Sequence, residues 1–188
     1  MGEATRHAGV KKIVIADAGP LIALARIGQP ELLAQLFGTV TLTDLVALEI
    51  TGGSIFPDTE ALAKTLTQPW LETVTLSESS LEACRDWVNL HQIDMGEASA
   101  LVLASQLIAQ RDEVLVIVDE TRGRQAAEHA AITITGTAGL LLLAKRCGLL
   151  PTVKPLLIAL QAQSYYLSDR LLEAVLRQAG EAGSRRNM

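Results

Sequence analysis

Two short apolar runs, Ile13-Val14-Ile15-Ala16 and Val114-Leu115-Val116-Ile117-Val118, each end on an aspartate, Asp17 and Asp119. Neither run alternates with polar residues, so each strand must be covered on both faces. That is the pattern of central parallel strands, which lie between two layers of helices. Weaker strand signals lie at Thr39 to Leu42, at Leu71 to Leu76 as an irregular edge strand, and at Ile132 to Thr135. Between them the chain reads as helix. Gly19-Pro20 opens a helix that Gly28 ends, and Pro30 opens a second one to Leu36. Thr43 or Asp44 caps a helix through Ile50, and a polar helical segment spans Asp58 to Thr67. Further helices are expected over Ser77 to Gln92, Glu97 to Gln110, Thr121 to Ala130 and Ala138 to Arg146, with two more near 153–163 and 168–179. Alternating strands and helices predict an α/β fold, a three-layer α/β/α sandwich on a mainly parallel central sheet.

In such sheets chemistry collects at the carboxyl ends of the strands, which is where Asp17 and Asp119 stand. Two more carboxylates draw notice. Glu49 lies on an otherwise apolar helix, and Glu97 falls in the first turn of a helix behind Gly96. Carboxylates in apolar surroundings need a cation, hydrogen-bond donors or a raised pKa. Few basic residues are near them in sequence, and one hard divalent cation such as Mg²⁺ answers the cost for all four. Each acid also has a plainer reading taken alone. Asp17 and Asp119 can cap the helices that follow, Glu97 can complement a helix dipole, and Glu49 can sit on a solvated face. Asp94 is a fifth carboxylate that serves equally well as a helix cap.

Length and composition narrow the class further. The chain has 188 residues, 49% of them hydrophobic, enough for one well-buried core and against disorder. A single domain over residues 1–180 is expected, with 181–188 as a flexible tail. The net charge of -5 opposes bulk electrostatic coating of nucleic acid. Aromatic residues are 3% of the chain, which argues against a sheet of base-stacking rings. Cys84 and Cys147 lie far apart in apolar neighbourhoods and read as buried hydrophobes in a reducing compartment. No apolar stretch is long enough to span a bilayer, and Asp17 interrupts any leader-like segment, so the expectation is a cytoplasmic protein with no membrane partner.

The run Ile15-Ala16-Asp17-Ala18-Gly19-Pro20-Leu21-Ile22-Ala23-Leu24 resembles the opening of a PIN domain, the nuclease fold of VapC-type toxins. Glu49 falls where that family carries its second acid. Asp94-Met95-Gly96-Glu97-Ala98 is similar to the D-x-G-E-A segment of one PIN subgroup, whose glutamate is the third. Val118-Asp119-Glu120, followed by Arg124, resembles the fourth-acid strand and its helix. The likeness continues through Gly136-Thr137-Ala138-Gly139 and 144–149, and spans about Ile13 to Ala179. Thr43-Asp44 stands where the family often has proline, a departure confined to the entry of the Glu49 helix.

The resemblance implies a metal-dependent ribonuclease. Asp17, Glu49, Glu97 and Asp119 would be its catalytic and metal-binding residues, Mg²⁺ or Mn²⁺ its cofactor, and Asp94 and Arg124 accessory residues. It further implies an RNA substrate, an antitoxin protein as partner, and a homodimer. The apolar terminal helices (Val153, Leu156, Leu157, Leu160; Leu171, Leu172, Val175, Leu176) suit such an interface and suit equally well packing on their own sheet. Arg122, Arg124, Lys145 and Arg146 are candidates for phosphate contacts, although each also suits a solvated helix face. The alternative is a PIN-like module that binds RNA or protein without cutting. Other enzyme classes fail on motif. Gly19 stands where a haloacid-dehalogenase-type phosphatase needs its second acid. There is no G-x-G-x-x-G after the first strand, no phosphate-cradling loop and no G-x-S-x-G elbow. His91 and His129 lack zinc-ligand spacing.

Overall fold

The computed structural model describes residues 12–52 and 59–182. Five parallel strands form one sheet: β1 (Lys12–Ala16), β2 (Val40–Thr43), β3 (Leu71–Val74), β4 (Glu113–Ile117) and β5 (Thr133–Thr135). Their spatial order is β3-β2-β1-β4-β5. The chain winds outward from β1 to β3, crosses back, and winds the other way from β4 to β5. The reversal lies between β1 and β4, which pair from Lys12↔Glu113 to Ala16↔Ile117.

The two apolar runs divide their side chains between the faces of the sheet, as period-two geometry requires. Ile15, Val114, Val116 and Val118 face a core with α5 (Glu78–His91), α6 (Met95–Ala109) and α7 (Thr121–His129). Val14, Ala16 and Ile117 face the opposite core. That second core is closed by α1 (Ala18–Arg26), α2 (Leu32–Phe37), α3 (Asp44–Gly52), α4 (Thr59–Leu66), α8 (Thr137–Arg146), α9 (Lys154–Ala162) and α10 (Asp169–Gln178). The three-layer α/β/α sandwich is therefore present.

Several expectations are modified. The edge strand is shorter than 71–76: pairing stops at Val74, and Leu76 leaves the sheet to join the helical core. Cys84 is buried, but Cys147 is exposed because it lies at the carboxyl cap of α8 rather than on its packed face. The terminal helices place Leu157, Leu160 and Val175 in the chain's own core, with Leu156, Leu172 and Leu176 packed against it. Of the two uses open to these apolar faces, packing on the chain's own core takes up most of them. Glu181, placed by sequence in the tail, accepts hydrogen bonds from the amides of Val153 and Lys154, each at 2.8 Å, and from the Lys145 ammonium. The remainder of the expected tail, 183–188, lies outside the described residues, as do 1–11 and the start of the 58–67 helical segment. Among the described residues, no helix is long and apolar enough to cross a membrane.

Candidate active site

The reversal of winding between β1 and β4 opens a crevice at the carboxyl edge of the sheet, the usual ligand position in doubly wound folds. Asp17 follows β1 directly, and its amide donates to the Ile117 carbonyl of β4 at 3.0 Å. Its carboxylate makes no capping bond to α1, although it stands at that helix's N-cap position. Asp17 is only 5% exposed. Burial pushes its carboxyl up to about 8, and the charges of Glu97, Glu49 and Asp94 add to the effect.

Helix α6 carries the third acid. Asp94 caps this helix, accepting the Glu97 amide at 2.8 Å. The cap points the first turn at the crevice and buries Glu97 to 4% exposure. The Glu97 carboxyl rises to about 7, through burial first and then through Asp94, Glu120 and Glu49. Its Oε1 is buried with no hydrogen-bond partner. Helix α3 brings Glu49, an exposed residue whose carboxylate lies against Gly96. Partial burial and the Asp94 charge raise its pKa too.

Three of the four acids are fitted against glycines. Besides Glu49 at Gly96, Glu97 Oε1 lies 2.5 Å from where a Cβ on Gly123 would stand. Asp119 Oδ1 lies 2.5 Å from the corresponding point at Gly136. Any side chain at these positions would displace a carboxylate. This gives Gly123 and Gly136 a role that their local conformation alone does not require.

Asp119 is held differently from the rest. Its carboxylate accepts the Thr137 amide at 2.8 Å and the Thr137 hydroxyl at 2.6 Å, so it caps α8 rather than the α7 that follows it in sequence. The Tyr165 hydroxyl also faces Asp119, and burial together with that charge pushes its pKa upward. Asp17, Glu49 and Asp119 share one cleft of about 450 Å³, completed by Arg26, Thr121, Tyr165 and Tyr166 among others. A second cleft of about 500 Å³ adjoins it across Asp119, Thr121, Tyr165 and Tyr166, and Arg124 lines its wall.

Of the five expected carboxylates, Asp17, Glu49 and Asp119 therefore line the cleft, Glu97 and Asp94 stand close enough behind it to repel Asp17 and Glu49, and Asp119 is tied to α8. Among the described residues, no three His, Cys, Asp or Glu groups stand close enough to form a ready metal cage. The orphaned Glu97 Oε1 and the raised acids nonetheless fit a hard cation, because oxygen donors without internal positive partners are what such an ion takes.

The basic residues divide. Arg124 donates to the Val118 carbonyl at 2.9 Å beside Asp119. Arg122 donates to the Gln92 carbonyl. Lys145 pairs with Glu181, and Arg146 donates to Gln178, so these two fasten the C-terminal segment. Residues missed in the sequence are Arg26, Thr137, Tyr165 and Tyr166. Gly136-Thr137 was legible as a helix start, but not as a holder of Asp119.

A family model described as a PIN domain matches residues 13–181. Comparison with curated proteins and with solved structures returns no match. With nearly the whole chain covered and a sheet wound as above, the chain belongs to the PIN domain family and carries a nuclease-type fold.

Proposed function

We propose that this chain is a metal-dependent endoribonuclease, with Asp17, Glu49, Glu97 and Asp119 as its catalytic carboxylates. The observation that carries the reading is the crevice itself: buried, mutually repelling acids with an unpartnered oxygen on Glu97. Such a cluster is costly without a cation. Asp17, Glu97 and Glu49 would hold Mg²⁺ or Mn²⁺, with Asp119 closing the far side. When bound, the ion lowers the pKa of an attacking water and offsets charge on the phosphodiester. Asp17 supplies rigidity, because the end of β1 is locked to β4. Asp94 aims Glu97 by capping α6, and Thr137 fixes the carboxylate plane of Asp119.

The toxin of a toxin–antitoxin pair is the setting suggested by the resemblance to VapC-type proteins. An antitoxin partner and a homodimer gain no support from the terminal helices, whose apolar faces are largely buried at home. The second reading, a PIN-like module that binds RNA or protein without cutting, is favoured by one observation: the acids do not close into a cage as they stand.

The two readings separate in one assay. Incubated with RNA and Mn²⁺, the protein should cleave internally, and chelator should stop it. Asp17→Asn and Glu97→Gln should each lower the rate at least 100-fold, roughly the scale on which electrostatic catalytic groups act. RNA that stays intact under Mn²⁺ and Mg²⁺ while still being bound would select the non-cutting module.

A further inference from the structure

Tyr166 is 86% exposed, whereas the other aromatic residues described, Phe37, Trp70, Trp87 and Tyr165, all pack against a core. The residues beside it are fixed. Tyr165 is half-buried against Asp119 and Thr137, Leu167 is 5% exposed, and Ser168 caps α10 through the Leu171 amide. Ser164, just before the pair, is held at φ 60°, a left-handed conformation that non-glycine residues rarely adopt. The connection between α9 and α10 is thus a rigid bracket presenting one ring to solvent. Nothing in the fold requires that ring to be aromatic.

Its position gives it a use. Tyr166 lines both clefts that meet at Asp119. Each cleft is in the size range of a small-ligand pocket, large enough for a nucleotide-sized group. Arg26 contributes positive charge to one, and Arg124 to the other. A strand running from one cleft to the other would cross the acids and pass the ring.

We propose that Tyr166 is a positioning residue that stacks one nucleobase of a single-stranded RNA and carries the adjoining phosphate past Asp119 on the side lined by Arg124. The inference rests on the ribonuclease reading and adds a residue that grips the substrate. Stacking needs an open base face. A single strand offers one, whereas in a duplex both faces of each base are covered. A low aromatic content excludes a sheet of stacking rings but not a single platform.

The test uses the full chain and a labelled eight-nucleotide RNA, offered as single strand and as blunt duplex. Affinity is read by fluorescence anisotropy in the Asp17 protein with Ca²⁺ in place of Mn²⁺, with a gel confirming that the RNA stays intact, so binding is scored without cutting. Tyr166→Ala should weaken single-strand binding roughly 5- to 100-fold, the range expected for one lost base–aromatic stack. Tyr166→Phe and Tyr166→Trp should restore it to within about two-fold, since both keep a π-face. Duplex binding should not change. In the Asp17 protein, Tyr166→Ala should raise KM more than it lowers kcat, and thermal melting should confirm that this exposed change leaves the fold intact.

Equal affinity for Tyr166→Ala and parent overturns the proposal. So does equal weakening of single strand and duplex, failure of Phe to rescue, or absence of single-strand binding altogether. Cleavage by the parent with no effect of Tyr166→Ala sinks the stacking role alone. Tyr166-dependent binding without any cleavage by the Asp17 protein supports stacking and sinks the ribonuclease reading instead.

Discussion

Thr137 holds Asp119 with both its amide and its hydroxyl, and the hydroxyl contact, at 2.6 Å, is the shorter. Thr137 is itself fully buried, so Thr137→Val preserves shape and removes one donor to an acid. Hydrogen bonds to charged groups contribute about 1.5–3 kcal/mol, so Thr137→Val should lower unfolding stability by roughly that amount in urea titration at pH 7. Turnover should also fall, because Asp119 gains freedom to rotate away from the cleft. Unchanged stability with unchanged turnover would show that the backbone amide of residue 137 and Tyr165 suffice to hold Asp119. The sequence displayed all four acids, because a carboxylate in an apolar run is conspicuous from chemistry alone. It did not display Thr137, which lies 18 positions from Asp119 in the chain and looks locally like any helix opener. Tyr166 was equally hidden: a tyrosine in a loop carries no mark of exposure until the residues on both sides are seen to be pinned.

Helix α6 shows how one element serves two demands. Asp94 caps it, and the same residue raises the pKa of both Glu97 and Glu49 by its charge. Substitution can separate these effects. Asp94→Ala loses the cap, at a cost of about 1 kcal/mol. Asp94→Asn keeps an accepting oxygen for the Glu97 amide and removes the charge, so in metal-free protein at pH 8 it should melt higher than the parent. If Asn melts no higher than the parent at pH 8 while Ala destabilises, repulsion within the cluster is negligible and capping is the whole role of Asp94. The same helix is anchored to the sheet by a buried bond between Ser99 Oγ and Thr43 Oγ, at 2.6 Å, while Ser99 also donates to the Gly96 carbonyl. This link couples the α3 entry, and so Glu49, to the first turn that carries Glu97. Element identities were legible because short, unbroken, β-branched runs ending on an acid stand apart from the longer segments punctuated by Gly and Pro. Boundaries shifted where a side chain rather than the pattern decides, as at Leu76, which leaves the edge strand to fill a core. The use of α9 and α10 was not legible, because an amphipathic face looks the same whether it meets its own sheet or a partner.

At the scale of the whole molecule, reversing the winding between β1 and β4 brings acids from separate stretches of sequence to one opening, and the fold bears their repulsion. The pH dependence of stability follows from the raised carboxyls. Asp17 has a pKa of about 8 when folded against 3.8 ordinarily, and Glu97 about 7 against 4.5. Between each pair of values the folded chain keeps a proton that the unfolded chain has released. Stability must then fall as pH rises through that window, by at most about 1.4 kcal/mol per pH unit for each group. So far as these two groups decide it, metal-free protein should therefore melt highest near pH 4 and lose stability up to pH 8, with the steepest loss between pH 4.5 and 7, where both groups contribute. Mn²⁺ should reverse the slope, since the cation binds the deprotonated carboxylates and binds them better as pH rises. Asp17→Asn should flatten the metal-free profile and blunt the stabilisation by Mn²⁺. A metal-free melting temperature that rises steadily from pH 5 to pH 8 would mean that these carboxylates ionise at ordinary values and that the crevice is wetter than its burial implies.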